Sequence, residues 1–281
     1  MLLHLPENPN FIKNCSFKPK ILMKSHKPLI LVTNDDGISA PGIRTLIEVM
    51  ATIGEVVVVA PDTPQSAMGH AITINNTLYL NKISKDNDAI TEYSCSGTPV
   101  DCVKIAVNEI LKQKPDLCVS GINHGTNSSI NVIYSGTMSA AVEAGIEGIQ
   151  GIGFSLLDYD WNADFSQIKT QVKKIALEVL ENKLPKGVVL NVNFPKLKEN
   201  EIKGIKICRQ ANAKYDQKFD KRQTPQGRDY YWLTGEFINE DNGEDTDEWA
   251  LENGYISVVP VQFDLTAHHS MQQLNTWKWN E

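Results

Sequence analysis

The chain has 281 residues, enough for one large α/β domain or two modest ones, and 41% hydrophobic residues with 18 glycines place it in the ordinary globular range. Global disorder is excluded on that composition. A net charge of -7 argues against a broad nucleic-acid footprint, which needs clustered Lys and Arg, so no nucleic-acid polymer is expected as a partner.

Residues 1–27 carry Lys13, Lys18, Lys20, Lys24 and Lys27 against a single acid, Glu7, and show no sustained periodicity. They read as an N-terminal extension, disordered or belonging to a misplaced start codon. His4 and Pro6 break the only stretch that could serve as the apolar core of a secretory signal. From Pro28 the texture changes. Pro28 to Thr33 is an apolar run of strand length, as expected of a strand buried on both faces, and it ends in the turn sequence Asn34-Asp35-Asp36-Gly37. Pro41-Gly42 opens a helix with Ile43, Leu46, Ile47 and Met50 on one side, and Glu55 to Ala60 forms the next buried strand, closed by Pro61-Asp62.

The alternation continues with a helix over 98–111, a short strand at 117–120, a small-residue helix over 137–145, a strand at 151–157, a helix near 168–180 and a strand at 188–192. This order predicts an α/β fold with a doubly wound, mostly parallel, Rossmann-like sheet. After Pro195 the pattern turns towards β, and residues 230–233 and 255–259 read as strands of antiparallel hairpins around an acidic loop at 239–245. The last residues, 265–281, read as a terminal helix. The expected organisation is therefore a core over 28–195 and a β-rich C-terminal extension over 196–281. That extension holds Trp232, Trp249, Trp277 and Trp279, which suits an oligomerisation surface, although the same rings could fill the monomer's own core.

Five cysteines (Cys15, Cys95, Cys102, Cys118 and Cys208) are odd in number and lack CxxC spacing, which disfavours structural zinc and a disulfide framework. The apolar runs are too short to span a bilayer. A cytoplasmic protein with reduced thiols and no membrane partner is the expectation.

Ligands of open parallel sheets bind beyond the carboxyl ends of the strands. The loops there offer Asp35 and Asp36, then Ser66, then Asn123 and Asn127. Adjacent carboxylates repel unless a cation neutralises them, and an all-oxygen set of Asp, Asp, Ser and Asn suits one hard divalent cation, Mg²⁺ or Mn²⁺. Asn-Asp-Asp-Gly is equally good turn and capping chemistry. Ser135-Gly136-Thr137 at a helix start could bind an anion through free N–H groups and hydroxyls, or could be an ordinary cap. His70 and His124 could touch a substrate or lie idle in loops. No Walker, HExxH, GxSxG or GxGxxG motif is present.

The stretch from Leu31 to Ile43, LVTNDDGISAPGI, resembles the N-terminal signature of the SurE survival-protein family. So do Ala60-Pro61-Asp62 with Gln65-Ser66, Gly97-Thr98-Pro99-Val100-Asp101-Cys102, Ser120-Gly121-Ile122-Asn123 with Gly125 and Asn127, and Tyr134-Ser135-Gly136-Thr137. Gly254 to Pro260 and Asp264-Leu265-Thr266 also fit, so the likeness runs in order over about residues 28–266. The resemblance implies metal ligands at Asp35, Asp36, Ser66 and Asn123, with Asn127, Ser135, Gly136 and Thr137 close to the phosphate. It implies hydrolysis of nucleoside 5′- or 3′-monophosphates, for some members also short polyphosphate, in a homodimer or homotetramer. Asp36 is the expected catalytic residue, positioning the attacking water. A nucleoside hydrolase and a non-catalytic nucleotide-binding module are the alternatives.

Overall fold

A computed structural model describes residues 27–85 and 89–279. The expected N-terminal extension thus lies, but for its last residue, outside the described residues.

Strands without a polar face must be covered on both sides, and the central ones are. β1 (Leu29–Thr33) is buried throughout and pairs in parallel with β2 (Glu55–Pro61) on one flank and β5 (Leu117–His124) on the other. β6 (Gln150–Leu156) lies parallel to β5, and β7 (Val188–Phe194) parallel to β6. On the far side β4 (Thr91–Cys95) runs parallel to β2, with β3 (Leu80–Lys82) antiparallel at the edge. Beyond β7, β11 (Ile256–Gln262) runs antiparallel to it and parallel to β8 (Ile205–Ile207). The nine strands are ordered β3-β4-β2-β1-β5-β6-β7-β11-β8, so the order reverses between β1 and β5.

Alternation along β1 divides the core in two. Ile30 and Val32 face Ile43, Leu46 and Met50 of α1 (Pro41–Ala51) and Val172, Ile175 and Ala176 of α4 (Lys169–Asn182). Leu29 and Leu31 face Cys102 and Val103 of α2 (Pro99–Ile105) and Ala140 and Ala144 of α3 (Gly136–Ile146). Proline opens α1 and α2, where its missing N–H removes no helical bond, and Thr98 with Asp101 closes a capping box on α2. Cys118 is a buried free thiol, its pKa pushed up to about 12 by burial.

Two expectations need correction. Residues 256–262 do not form a hairpin with 230–233. Ile256, Val258 and Val259 are buried and need strand neighbours on both sides, which the main sheet supplies. The hairpin instead joins β9 (Ala213–Gln223) to β10 (Asp229–Asn239) as a separate two-stranded sheet. The helix expected over 98–111 is α only to Ile105 and continues as a π turn over Ala106–Ile110. The acidic loop is clamped from outside: Arg209 bonds Asp241 through both terminal nitrogens (2.6 and 2.9 Å) and Asp245 through Nε (2.9 Å). Two short helices, α5 (Asp247–Glu252) and α6 (His268–Leu274), complete the described chain.

Candidate active site

The loop after β1 is set by its own residues. Asn34 Nδ2 donates to Gly37 O (2.9 Å), and Gly37 takes φ 96°, a conformation that suits glycine. This turn leaves Asp35 buried and Asp36 partly so. The loop after β2 crosses it, with Ile38 N–H donating to Pro61 O (2.9 Å) and Gln65 N–H to Asp35 O (2.7 Å). Ser66 is therefore one residue beyond a direct bond to Asp35, and it is exposed.

From the other flank, the β5–β6 register shifts between Ser120 and Asn123, an irregularity of the kind that re-aims a side chain. Asn123 Nδ2 donates to His124 O (3.1 Å) and Gly125 O (2.9 Å), so its amide oxygen is what it can offer a cation. Asp36 Oδ2 accepts from the His124 backbone N–H (3.2 Å) and from its Nδ1 (2.9 Å). Because a carboxylate only accepts, Nδ1 carries the proton. Burial alone would lower the His124 pKa, but the hydrogen bond and charge of Asp36 outweigh it and raise the value above 6.5.

The start of α3 closes the third side. Ser135 caps it, its Oγ accepting from Met138 N–H (3.0 Å), and Thr137 Oγ1 donates to Asp35 Oδ1 (2.5 Å). A Cβ at Gly136 would lie 2.7 Å from Asp35 Cβ, so only glycine lets helix and carboxylate approach this closely. Burial, then the neighbouring charge of Asp36, raise the Asp35 pKa to about 6 against the pull of Thr137.

The donor set fits a hard cation. Asp35 is a buried carboxylate beside a second one, and the buried Asn34 Oδ1 has no hydrogen-bond partner. Among the described residues no group of three or more His, Cys, Asp or Glu is placed to hold a metal, so a cation here would draw on hydroxyl and amide oxygens besides the two carboxylates. Asn127 is set apart. It is buried, its Nδ2 donates to Ser155 Oγ (2.8 Å), its N–H to Asn193 Oδ1 (2.8 Å), and its O accepts from Asn191 Nδ2 (2.8 Å).

Two further groups carry weight, and only the first was a candidate in the sequence. His124 is one. Glu143, on α3 and 3% exposed, is the other, bonded to His70 Nε2 (2.8 Å) and Lys104 Nζ (2.5 Å). His70 thus has a structural partner on the helix whose first turn meets Asp35. A groove of about 670 Å³ lies elsewhere, between α3 and the segment 259–265, and includes none of the predicted ligands.

Acidic, amide and hydroxyl side chains gathered where the strand order reverses, facing a helix N-terminus, define an open-sheet α/β protein with an oxygen-rich, cation-compatible site. The sequence model described as Survival protein SurE matches residues 30–217. The chain belongs to that family. It is 85% identical over 258 residues to the 5'-nucleotidase SurE of Flavobacterium johnsoniae, covering 92% of this chain and 100% of the relative. It is 42% identical to that of Natranaerobius thermophilus, over 90% and 99% of the two chains. The crystal structure of the SurE protein from Aquifex aeolicus superposes with TM-score 0.77 at 40% identity, covering 88% of this chain and 98% of that one.

Proposed function

We propose that this chain is a 5'-nucleotidase that hydrolyses nucleoside monophosphates to nucleoside and phosphate, using one divalent cation, Mg²⁺ or Mn²⁺, held by Asp35, Asp36, Ser66 and Asn123. The observation that carries the reading is the full-length match to relatives named 5'-nucleotidase SurE, at 85% and 42% identity. Those names favour phosphate-ester cleavage over a base-releasing hydrolase or a silent binding module.

A bound cation would offset charge on the phosphoryl oxygens and acidify a water. The chain's own groups do the rest. The Gly136 N–H at the first turn of α3 is offered to the anion, while the Thr137 N–H is turned to the Asp35 carboxylate and the Ser135 hydroxyl is occupied in capping. The Thr137 hydroxyl holds Asp35, and Asp36 is the residue that positions the attacking water. Asn127 acts near the phosphate through the loop it anchors, since its amide nitrogen already serves Ser155. Acceptance of 3′-monophosphates and short polyphosphate belongs to the same proposal.

No helix among the described residues is long and apolar enough to cross a membrane, and a cytoplasmic location is part of this reading. So is assembly into a homodimer or homotetramer, supported by exposed Trp232, Leu265, Trp277 and Trp279. The test is phosphate release from a panel of nucleoside 5′- and 3′-monophosphates with each metal, before and after chelation. Release of free base in place of phosphate, or binding without turnover at saturating metal, would overturn it.

A further inference from the structure

We propose that His124 is a positioning residue for the cation site: it fixes the Asp36 carboxylate through one oxygen so that the other faces the ligand. The inference rests on the reading of Asp36 as a cation ligand given above. Both contacts from His124, the backbone N–H at 3.2 Å and Nδ1 at 2.9 Å, fall on Oδ2 of Asp36. Oδ1 is the oxygen left over.

A carboxylate beside another carboxylate swings away from it when free to do so, because like charges repel. Asp36 sits next to the buried Asp35 and is itself only partly covered, so something must hold it in place. The imidazole can do this because aromatic rings pack against it on two sides. Its ring lies parallel to Trp161 (centroids 5.4 Å apart, planes 7° apart) and takes the edge of Phe165 at 5.0 Å and 89°. The side chain is 9% exposed. The backbone beyond it is pinned as well, with Gly125 N–H shared between Leu156 O (2.8 Å) and Asp158 O (3.0 Å).

The second ring nitrogen narrows the role. Nε2 is buried and has no hydrogen-bond partner. No side chain is placed to take a proton from Nε2, and the side-chain hydrogen bond that the ring makes is the one to Asp36. Groups that orient a metal ligand from behind typically change metal affinity by about 10- to 100-fold when removed.

Two substitutions separate the hydrogen bond from the ring. His124→Phe keeps an aromatic ring between Trp161 and Phe165 and removes the donor. His124→Asn keeps an amide donor near the place of Nδ1 and removes the ring. Equilibrium Mn²⁺ binding, followed by the electron paramagnetic resonance of free Mn²⁺ without substrate, is compared with melting in chelator. Affinity should follow the donor: about 10- to 100-fold weaker in His124→Phe and within a few-fold of wild type in His124→Asn. Stability should follow the ring, with the lower melting temperature in His124→Asn. Wild-type affinity in a folded His124→Phe, or equal weakening in both variants, overturns the proposal. Should His124→Phe fail to fold, His124→Asn decides alone, near-wild-type affinity supporting the role and a loss of 10-fold or more overturning it. A wild-type protein that binds no Mn²⁺ would instead sink the cation site itself, and is seen separately.

Discussion

Thr137 and Asp35 are 102 residues apart in sequence and joined by a hydrogen bond of 2.5 Å, from the first turn of α3 to the loop that follows β1. The bond makes the helix start and that loop one rigid unit, and it holds a carboxylate where burial and a like charge both oppose ionisation.

Gly136→Ala tests that unit without removing any functional group. The added methyl would meet Asp35 Cβ at 2.7 Å and Oδ2 at 3.0 Å, so the carboxylate must move. Displacement by about 1 Å at a reacting centre costs on the order of 100-fold in rate. A fall in kcat/KM of that size, with the circular dichroism spectrum unchanged, is expected. Full activity would show that Asp35 needs no fixed position.

Asp35→Asn and Asp36→Asn should each abolish most phosphate release while leaving the fold intact. Losing either carboxylate weakens cation binding, whereas losing the charge of Asp35 relieves the burial cost and the repulsion that together raise its pKa to about 6. In chelator, Asp35→Asn should melt no lower than wild type. Calorimetry reads this directly, and a marked drop would mean that the carboxylate has a structural role of its own.

Glu143→Gln tests the polar tie beneath α3. Burial pushes the Glu143 pKa up, but bonds from His70 and Lys104 outweigh it and hold it below the ordinary 4.5. A depressed carboxylate stabilises the fold fully above its unfolded pKa, and the gain disappears as pH falls through the lower folded value. Wild type should exceed Glu143→Gln by about 1–3 kcal/mol at pH 7, the range for hydrogen bonds to charged groups beside partly exposed partners. The gap should narrow once the pH drops under 4.5. Urea unfolding at pH 7 and below pH 4 measures both ends, and a gap that does not change with pH would contradict the assignment.

Truncation after Asp264 removes Leu265, which is 92% exposed, and Trp277 and Trp279, which are 53% and 65% exposed. Apolar rings this open do little for a lone subunit, so the shortened chain should shift towards monomer in sedimentation while still binding Mn²⁺. A fully oligomeric truncated protein would leave the tail without a role in assembly.

The buried centre of the sheet was legible because β1 and β2 consist of runs with no polar face to turn outward. The turn at Asn34–Gly37 and the cap at Ser135 were legible from local chemistry alone. Other elements carried no such mark. β4 is half polar and only partly buried, and β9 is exposed along most of its length, so neither shows the alternation that betrays a strand, while of β10 only residues 230–233 read as one. β5 runs on through Asn123 and His124, polar residues that read as loop. Trp249 differs from the other tryptophans of the C-terminal segment: it stacks on Tyr255 (6.3 Å), whereas Trp232, Trp277 and Trp279 are exposed. The contacts of Glu143 with Lys104 and His70 cross 39 and 73 residues, and no local pattern encodes a partner that far away.

The place of β11 sets an order on biosynthesis. β7 is complete at Phe194, yet the strand that covers its outer edge begins only at Ile256. While the intervening hairpin is being translated, the backbone N–H and C=O groups along that edge have no partner and offer a template to any other extended chain. β8 cannot shield them, because it pairs with β11 and not with β7. A chain that ends before Ile256 would therefore hold a sheet open on one side, with an edge able to pair with another extended chain.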